Sequence, residues 1–385
     1  MRRSRFLAFV SISVLVGCVL AAAILGVAEL AVRVWSDVNF NGTSADLFLP
    51  NRFGSSTGNT PNASTISFAA HVFTDADGFR VPSRTYRYPE ESEGAILILG
   101  DSAPFGVGVE EPDTYVGLLR RRYPKLRVYN SSVIGYALPD YVHVVTAMLN
   151  RTRLSKVLLF YCLNDISTAS ATEIEKAAQS RSASASPVSP PVAAAPPASA
   201  SPGNQTTAPD RVDARTRVQQ RLRKVGVLTA LNNFLRDKSK LYLLVKGKLT
   251  DPSRGWFLTD YQSYLDHEWV TRQLEPLATI AAMLNKHEIE FVVVLAPYEY
   301  QVRQSRRASD PTDRFRPQHE VGEYLRRRGI PFVDASPELL AAAIREPQHY
   351  FLSFDPMHLS RRGHAEMFKI LDAHGLAAIK KLSAQ

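Results

Sequence analysis

The stretch Ala95-Ile96-Leu97-Ile98-Leu99, closed by Gly100-Asp101-Ser102, constrains this chain more than any other. An apolar run without alternation is the pattern of a strand covered on both faces, the habit of parallel sheets, and the Gly-Asp-Ser that ends it is a tight turn. In an open α/β sheet ligands bind beyond the carboxyl ends of the strands, so the hydroxyl of Ser102 stands over the edge where chemistry is done. Taken alone, Gly-Asp-Ser is also an ordinary turn tripeptide, because Gly accepts positive φ while Asp and Ser bond nearby backbone. The far end of the chain shifts that balance: Asp355-Pro356-Met357-His358 supplies an acid and an imidazole three residues apart.

Further strand patterns lie at 126–130, 156–162, 290–295 and 331–334, with helical patterns at 112–122, 140–150, 260–287, 317–328 and 361–382. Alternating strands and helices imply a parallel sheet covered by helices, so the expected fold is one doubly wound α/β domain with a mostly parallel sheet of about five strands. At 385 residues and 45% hydrophobic content, the chain can bury a full core. The net charge of +9 comes from scattered groups such as Arg120 to Arg122 and Arg326 to Arg328, without interleaved aromatics. These read as solvated helix faces, and no nucleic-acid partner is expected. Of the two cysteines, Cys18 sits in the N-terminal apolar segment and Cys162 at a strand end, leaving neither a disulfide framework nor a zinc site. No metal or cofactor is expected.

Arg2, Arg3 and Arg5 precede an uncharged run from Phe6 to Ala28, long enough to span a bilayer. The positive flank predicts a cytoplasmic tip, with everything after Glu29 on the other side. Ala21-Ala22-Ala23 offers a signal-peptidase site and Leu15-Val16-Gly17-Cys18 a lipobox, but the apolar run continues past both, which favours an uncleaved anchor. The expected organisation is a tip and anchor over 1–35, a loop-rich extension with short strands over 36–93 and a catalytic domain split into 94–167 and 259–385. Between the two halves lie an Ala/Ser/Pro-rich insert over 168–225, expected to be disordered, and a helical cap or connector over 226–258. The extension carries Gly54-Ser55-Ser56-Thr57-Gly58, which matches the G-x-S-x-G elbow but lacks the required strand before and helix after. Its Asp75 to Arg80 segment reads as structural.

Four blocks remain: Gly100-Asp101-Ser102; Asn130 to Gly135; Cys162-Leu163-Asn164-Asp165; and Asp355 to His358. In this order, with three of them directly after strands, they make the chain resemble the SGNH (GDSL-type) hydrolases, a flavodoxin-like α/β fold, over 94–385 apart from the insert. The anchor and the Gly78-Phe79-Arg80 segment are similar to those of a membrane-tethered bacterial subgroup. The resemblance implies Ser102 as nucleophile, His358 as general base and Asp355 as the group that orients the imidazole. It also implies an oxyanion hole from the Ser102 and Gly135 amides and the Asn164 side chain. Cys162 stands where the family has glycine, adding a side chain near Asn164; in an apolar strand without a basic neighbour it reads as a buried residue rather than a second nucleophile.

The expected function is therefore an extracytoplasmic, membrane-anchored serine esterase acting on an acyl ester, foremost acetyl, of a carbohydrate or small molecule. Two alternatives stay open: an O-acyltransferase that hands the same acyl group to a glycan hydroxyl, and a catalytically silent binding or assembly module on the same fold.

Overall fold

The computed structural model describes residues 2–36, 38, 40, 42–166, 226–304, 307–347 and 349–376. The insert at 168–225 lies outside them. The elements, in chain order, begin with a long helix α1 (Arg2–Trp35) and five short strands: β1 (Phe48–Pro50), β2 (Thr57–Asn59), β3 (Ser64–Ser67), β4 (Ala70–Thr74) and β5 (Arg80–Val81). Then come β6 (Gly94–Leu99), α2 (Ser102–Phe105), α3 (Tyr115–Arg122), β7 (Leu126–Asn130), α4 (Leu138–Leu149) and β8 (Lys156–Tyr161). After the insert follow α5 (Gly226–Lys238), α6 (Lys240–Thr250), α7 (Pro252–Ser263), α8 (His267–Gln273), α9 (Glu275–Lys286), β9 (Glu290–Leu295) and α10 (Glu299–Val302). The chain closes with α11 (Arg316–Arg328), β10 (Phe332–Asp334), α12 (Ser336–Arg345) and α13 (Arg361–Ala373).

Five strands pair in parallel in the order β10-β9-β8-β6-β7, the doubly wound layout expected from the sequence. Period-two geometry explains why their sequences are apolar throughout. Leu97, Leu99, Val157, Leu159 and Val293 point to one face and pack under α4, α9 and α11 through Val144, Ile280 and Leu325. Ile96, Ile98, Leu158, Phe160 and Val294 point to the other and meet α3, α12 and α13 through Leu119, Leu339 and Ile370. A residue removed from either face therefore opens a cavity in a full core.

The sheet is larger than the five strands expected. From the extension, β5 pairs antiparallel with β7, β4 with β5 and β3 with β4, giving eight strands in all. These strands carried little signal because they are short: β3 buries Thr65 and Ser67 while exposing Ile66, and β4 buries only Ala70 and Val72 beside Thr74. The extension also holds the chain that follows Ser102. Fully buried Arg80 donates from Nη1 to the carbonyls of Phe105 and Gly106, and from Nη2 to that of Val109 at 2.5 Å. That gives the Asp75 to Arg80 segment the structural role expected of it.

Two helix expectations need correction. The pattern over 260–287 is three helices, because Asp266 caps α8 through the Trp269 amide and Pro276 opens α9, where a missing N–H costs nothing. The last helix stops at Ala373, two residues before Gly375 at φ +62°. Within α1, Ser11–Trp35 is long and apolar enough to cross a membrane.

Candidate active site

β6 delivers Ser102 to the carboxyl edge of the sheet through a turn that only glycine fits. Gly100 sits at φ +152°, and a Cβ there would fall 2.3 Å from the Pro104 ring. Asp101 then caps α2, its Oδ1 accepting from the Ala103 amide at 3.1 Å, so that Ser102 occupies the first turn. From the opposite end of the chain, the loop before α13 brings His358 Nε2 to 2.7 Å from Ser102 Oγ. His358 Nδ1 lies 2.6 Å from Asp355 Oδ2, and Asp355 Oδ1 accepts the backbone N–H groups of Met357 and His358 at 3.0 and 2.8 Å. The three-residue spacing works because the carboxylate folds back on its own turn: one oxygen holds the backbone, the other the ring.

Proton positions follow from chemistry. A carboxylate can only accept, so Nδ1 carries the imidazole proton and Nε2 offers its lone pair to the Ser102 hydroxyl. Asp101 Oδ2 is a second acceptor for that hydroxyl at 3.4 Å, but the single hydrogen favours the shorter path to His358. Burial alone would lower the His358 pKa; the charge and hydrogen bond of Asp355, together with the charge of Asp101, outweigh it and leave the net value raised.

Gly135 and Asn164, from the second and third blocks, line the same pocket as Ser102 and His358, a space of about 750 Å³. Gly135 has φ +85°, and a Cβ on it would meet nothing within 4 Å, so positive φ is what calls for glycine here. Asn164 is held at both ends: Nδ2 donates to Asp101 Oδ2 at 3.0 Å, and Oδ1 lies 3.3 Å from the Tyr298 hydroxyl. Among the described residues, no other acceptor takes the second hydrogen of Nδ2. Cys162 does not line the pocket; burial, with Asp101 and Asp165 adding to it, pushes its thiol well up, as suits an inert side chain.

Several contributors had no sequence signal. Tyr298 bonds Asp260 at 2.6 Å as well as facing Asn164, and both come from loops and helices that look unremarkable in sequence. Phe68, at the tip of the β3–β4 hairpin, sets its ring edge-on to His358 with centroids 5.4 Å apart. The other side of the pocket is made by Leu243, Lys246 and Gly247 of α6 and Trp256 of α7, so the segment after the insert covers the site. Asp101 was visible as part of a motif, but its grip on Asn164 was not. Gly54 to Gly58 forms no strand-turn-helix elbow; part of it is β2.

Comparison with known proteins gives structural matches alone, since no family model and no curated protein matches the chain. An acetyl xylan esterase, AlAXEase, aligns over 73% of this chain and 98% of its own at 11% identity and TM-score 0.39. A catalytic mutant of Axe2, an acetylxylan esterase from Geobacillus stearothermophilus, aligns over 76% and 98% at 11% identity and TM-score 0.37. A member of the lipolytic protein G-D-S-L family from Veillonella parvula aligns over 72% and 96% at 11% identity and TM-score 0.36. What assigns chemistry to this chain is therefore the geometry of its own residues.

Proposed function

We propose that this chain is a membrane-anchored serine esterase of the SGNH type, working outside the cytoplasm on an O-acyl ester. The observation that carries the reading is the unbroken path from Ser102 Oγ through His358 to Asp355, with contacts of 2.7 and 2.6 Å in a pocket large enough for a substrate. Ser102 attacks the ester carbonyl while His358 Nε2 takes its proton, and Asp355 stabilises the imidazolium that forms. The negative oxygen of the tetrahedral intermediate is bound by the Ser102 amide, which has no intrahelical acceptor in the first turn of α2, by the Gly135 amide and by the free hydrogen of Asn164 Nδ2. His358 then protonates the leaving alcohol, and water releases the acid by the same steps in reverse. The alcohol proposed is a carbohydrate or small molecule and the acyl group acetyl. The three arginines before the apolar part of α1 support a tip that stays in the cytoplasm.

A fluorophosphonate probe tests the assignment directly: it should label the wild-type chain at Ser102 and leave Ser102→Ala untouched. Turnover of p-nitrophenyl acetate should fall by about 10³ or more in Ser102→Ala and His358→Ala. Full turnover in Ser102→Ala would remove the esterase reading.

A further inference from the structure

The uncharged run of α1 ends at Ala28, and the next side chain is bound to the cover of the active-site pocket. Glu29 Oε2 accepts from Ser239 Oγ at 2.8 Å and from the Leu241 amide at 2.9 Å, while Oε1 accepts from the Lys240 amide at 3.0 Å. Arg33, one turn on, donates to Glu29 at 2.7 Å and to the Lys238 carbonyl at 2.8 Å. A carboxylate that caps the first amides of a helix is fixed in place, so the α6 N-terminus lies at the height of Glu29, at the edge of the apolar run.

The pocket begins close above. Val38, three residues past the end of α1, is buried and lines the space over Ser102, to which α6 contributes Leu243, Lys246 and Gly247. Helix rise from Ala28 to Trp35 and full extension to Val38 together span no more than about 21 Å. On their outer surface α5 and α6 show Leu231, Phe234, Val245 and Leu249, the last 79% exposed, paired at helical spacings of three and four. Gly226–Thr250 carries five basic residues against one acidic. Exposed apolar side chains flanked by lysine and arginine, next to a spanning helix, match an interfacial amphipathic hairpin on anionic lipid.

We infer that α5 and α6 lie in the headgroup layer of the bilayer spanned by α1, and that the pocket over Ser102 takes its ester from an amphiphile resident in that bilayer. This deepens the proposed function and rests on its two parts, a retained anchor and a nucleophilic Ser102. A freely soluble ester needs no contact between α6 and lipid. An ester near the headgroup of a bilayer amphiphile reaches Ser102 only if the side of the pocket built by α6 meets the interface.

The test uses the full chain with Cys18→Ser, in vesicles of phosphatidylcholine and phosphatidylglycerol, spin-labelled in turn at Phe234→Cys, Leu249→Cys and, as an exposed control on α12, Ile344→Cys. Labels at 234 and 249 should be relaxed more by oxygen than by a water-soluble nickel chelate, and the label at 344 the reverse; the same water-exposed response at all three overturns the inference. In a second arm, Phe234→Glu with Leu249→Glu should lower hydrolysis of a vesicle-borne acetylated octadecyl glucoside by about tenfold or more, with p-nitrophenyl acetate turnover within about twofold of wild type. Equal change on both esters, in a variant that unfolds at the parent temperature, also overturns it. A cleaved N-terminus or failure to float with vesicles strikes the anchor instead. Absence of turnover of either ester by the wild type strikes the catalytic reading, while the label accessibilities still decide where α5 and α6 lie.

Discussion

In the mechanism proposed above, His358 sets the pH at which Ser102 works. Its pKa is raised above the ordinary 6.5 because Asp355 and Asp101 outweigh the opposing effect of burial. A general base acts only when neutral, so kcat/KM should fall on the acid side with a midpoint above 6.5. Asp355→Asn removes the charge that raises it, and should move that midpoint down while lowering kcat by about 10³ or more. A profile that keeps its midpoint in Asp355→Asn would mean another group titrates. Asn164 is the second residue whose role has a number attached: if its free amide hydrogen faces the oxyanion, Asn164→Ala lowers kcat by about 10² to 10³. A loss under about tenfold would mean that the Asp101 and Tyr298 contacts turn the amide away from the reacting oxygen.

The β3–β4 hairpin is the element that ties the extension to the chemistry. Ser67 pairs with Ala70, leaving the two-residue turn Phe68-Ala69, and both of these residues have positive φ, +49° and +67°. Two-residue turns of this kind favour Asn-Gly, and a side-chain-bearing residue there is held at a cost of about 1 kcal/mol or more. What the turn gains is the placement of Phe68 against the His358 ring. Ala69→Gly should therefore stabilise the protein by about 1 kcal/mol in urea unfolding, with little change in activity. Phe68→Ala should lower kcat by about tenfold or more, since small displacements of a catalytic group are amplified in rate. Unchanged stability in the first variant would show that the turn carries no strain.

Across the whole molecule, the two halves of the chain are joined beneath the site by a buried, neutral histidine. His364, at the start of α13, accepts from the Tyr115 amide of α3 at 3.3 Å, and burial, aided by the charges of Arg80 and His358, lowers its pKa to about 3. Its folded pKa lies below the ordinary 6.5, so the unfolded chain binds the proton first. The stability it permits is complete above pH 6.5 and is lost as pH falls from there toward 3. By about pH 4.5 the loss should reach about 2 to 3 kcal/mol. His364→Gln keeps an acceptor for Tyr115 without titrating, and its unfolding midpoint should fall less steeply with acid than that of the wild type. Parallel curves would assign the acid sensitivity to other groups.

The sequence by itself determined the layered core and the ends of its strands, because a strand covered on both faces leaves a continuous apolar run, and the residues just beyond it stand at the ligand edge. It also singled out Ser102, Gly135, Asn164, Asp355 and His358 as candidates, since the four short blocks that carry them stand in the order of the family the chain resembles, although each block alone is an ordinary turn. Only the tertiary structure decided what surrounds them. In the extension, β3 and β4 are short and bury Thr65, Ser67 and Thr74 beside only Ala70 and Val72, which leaves too little apolar contrast to read. Phe68, Asp101 toward Asn164, Tyr298 and the α6 side of the pocket act through contacts between distant segments. Such pairings are fixed when the chain closes on itself, and neither partner needs an unusual neighbour in sequence to make them.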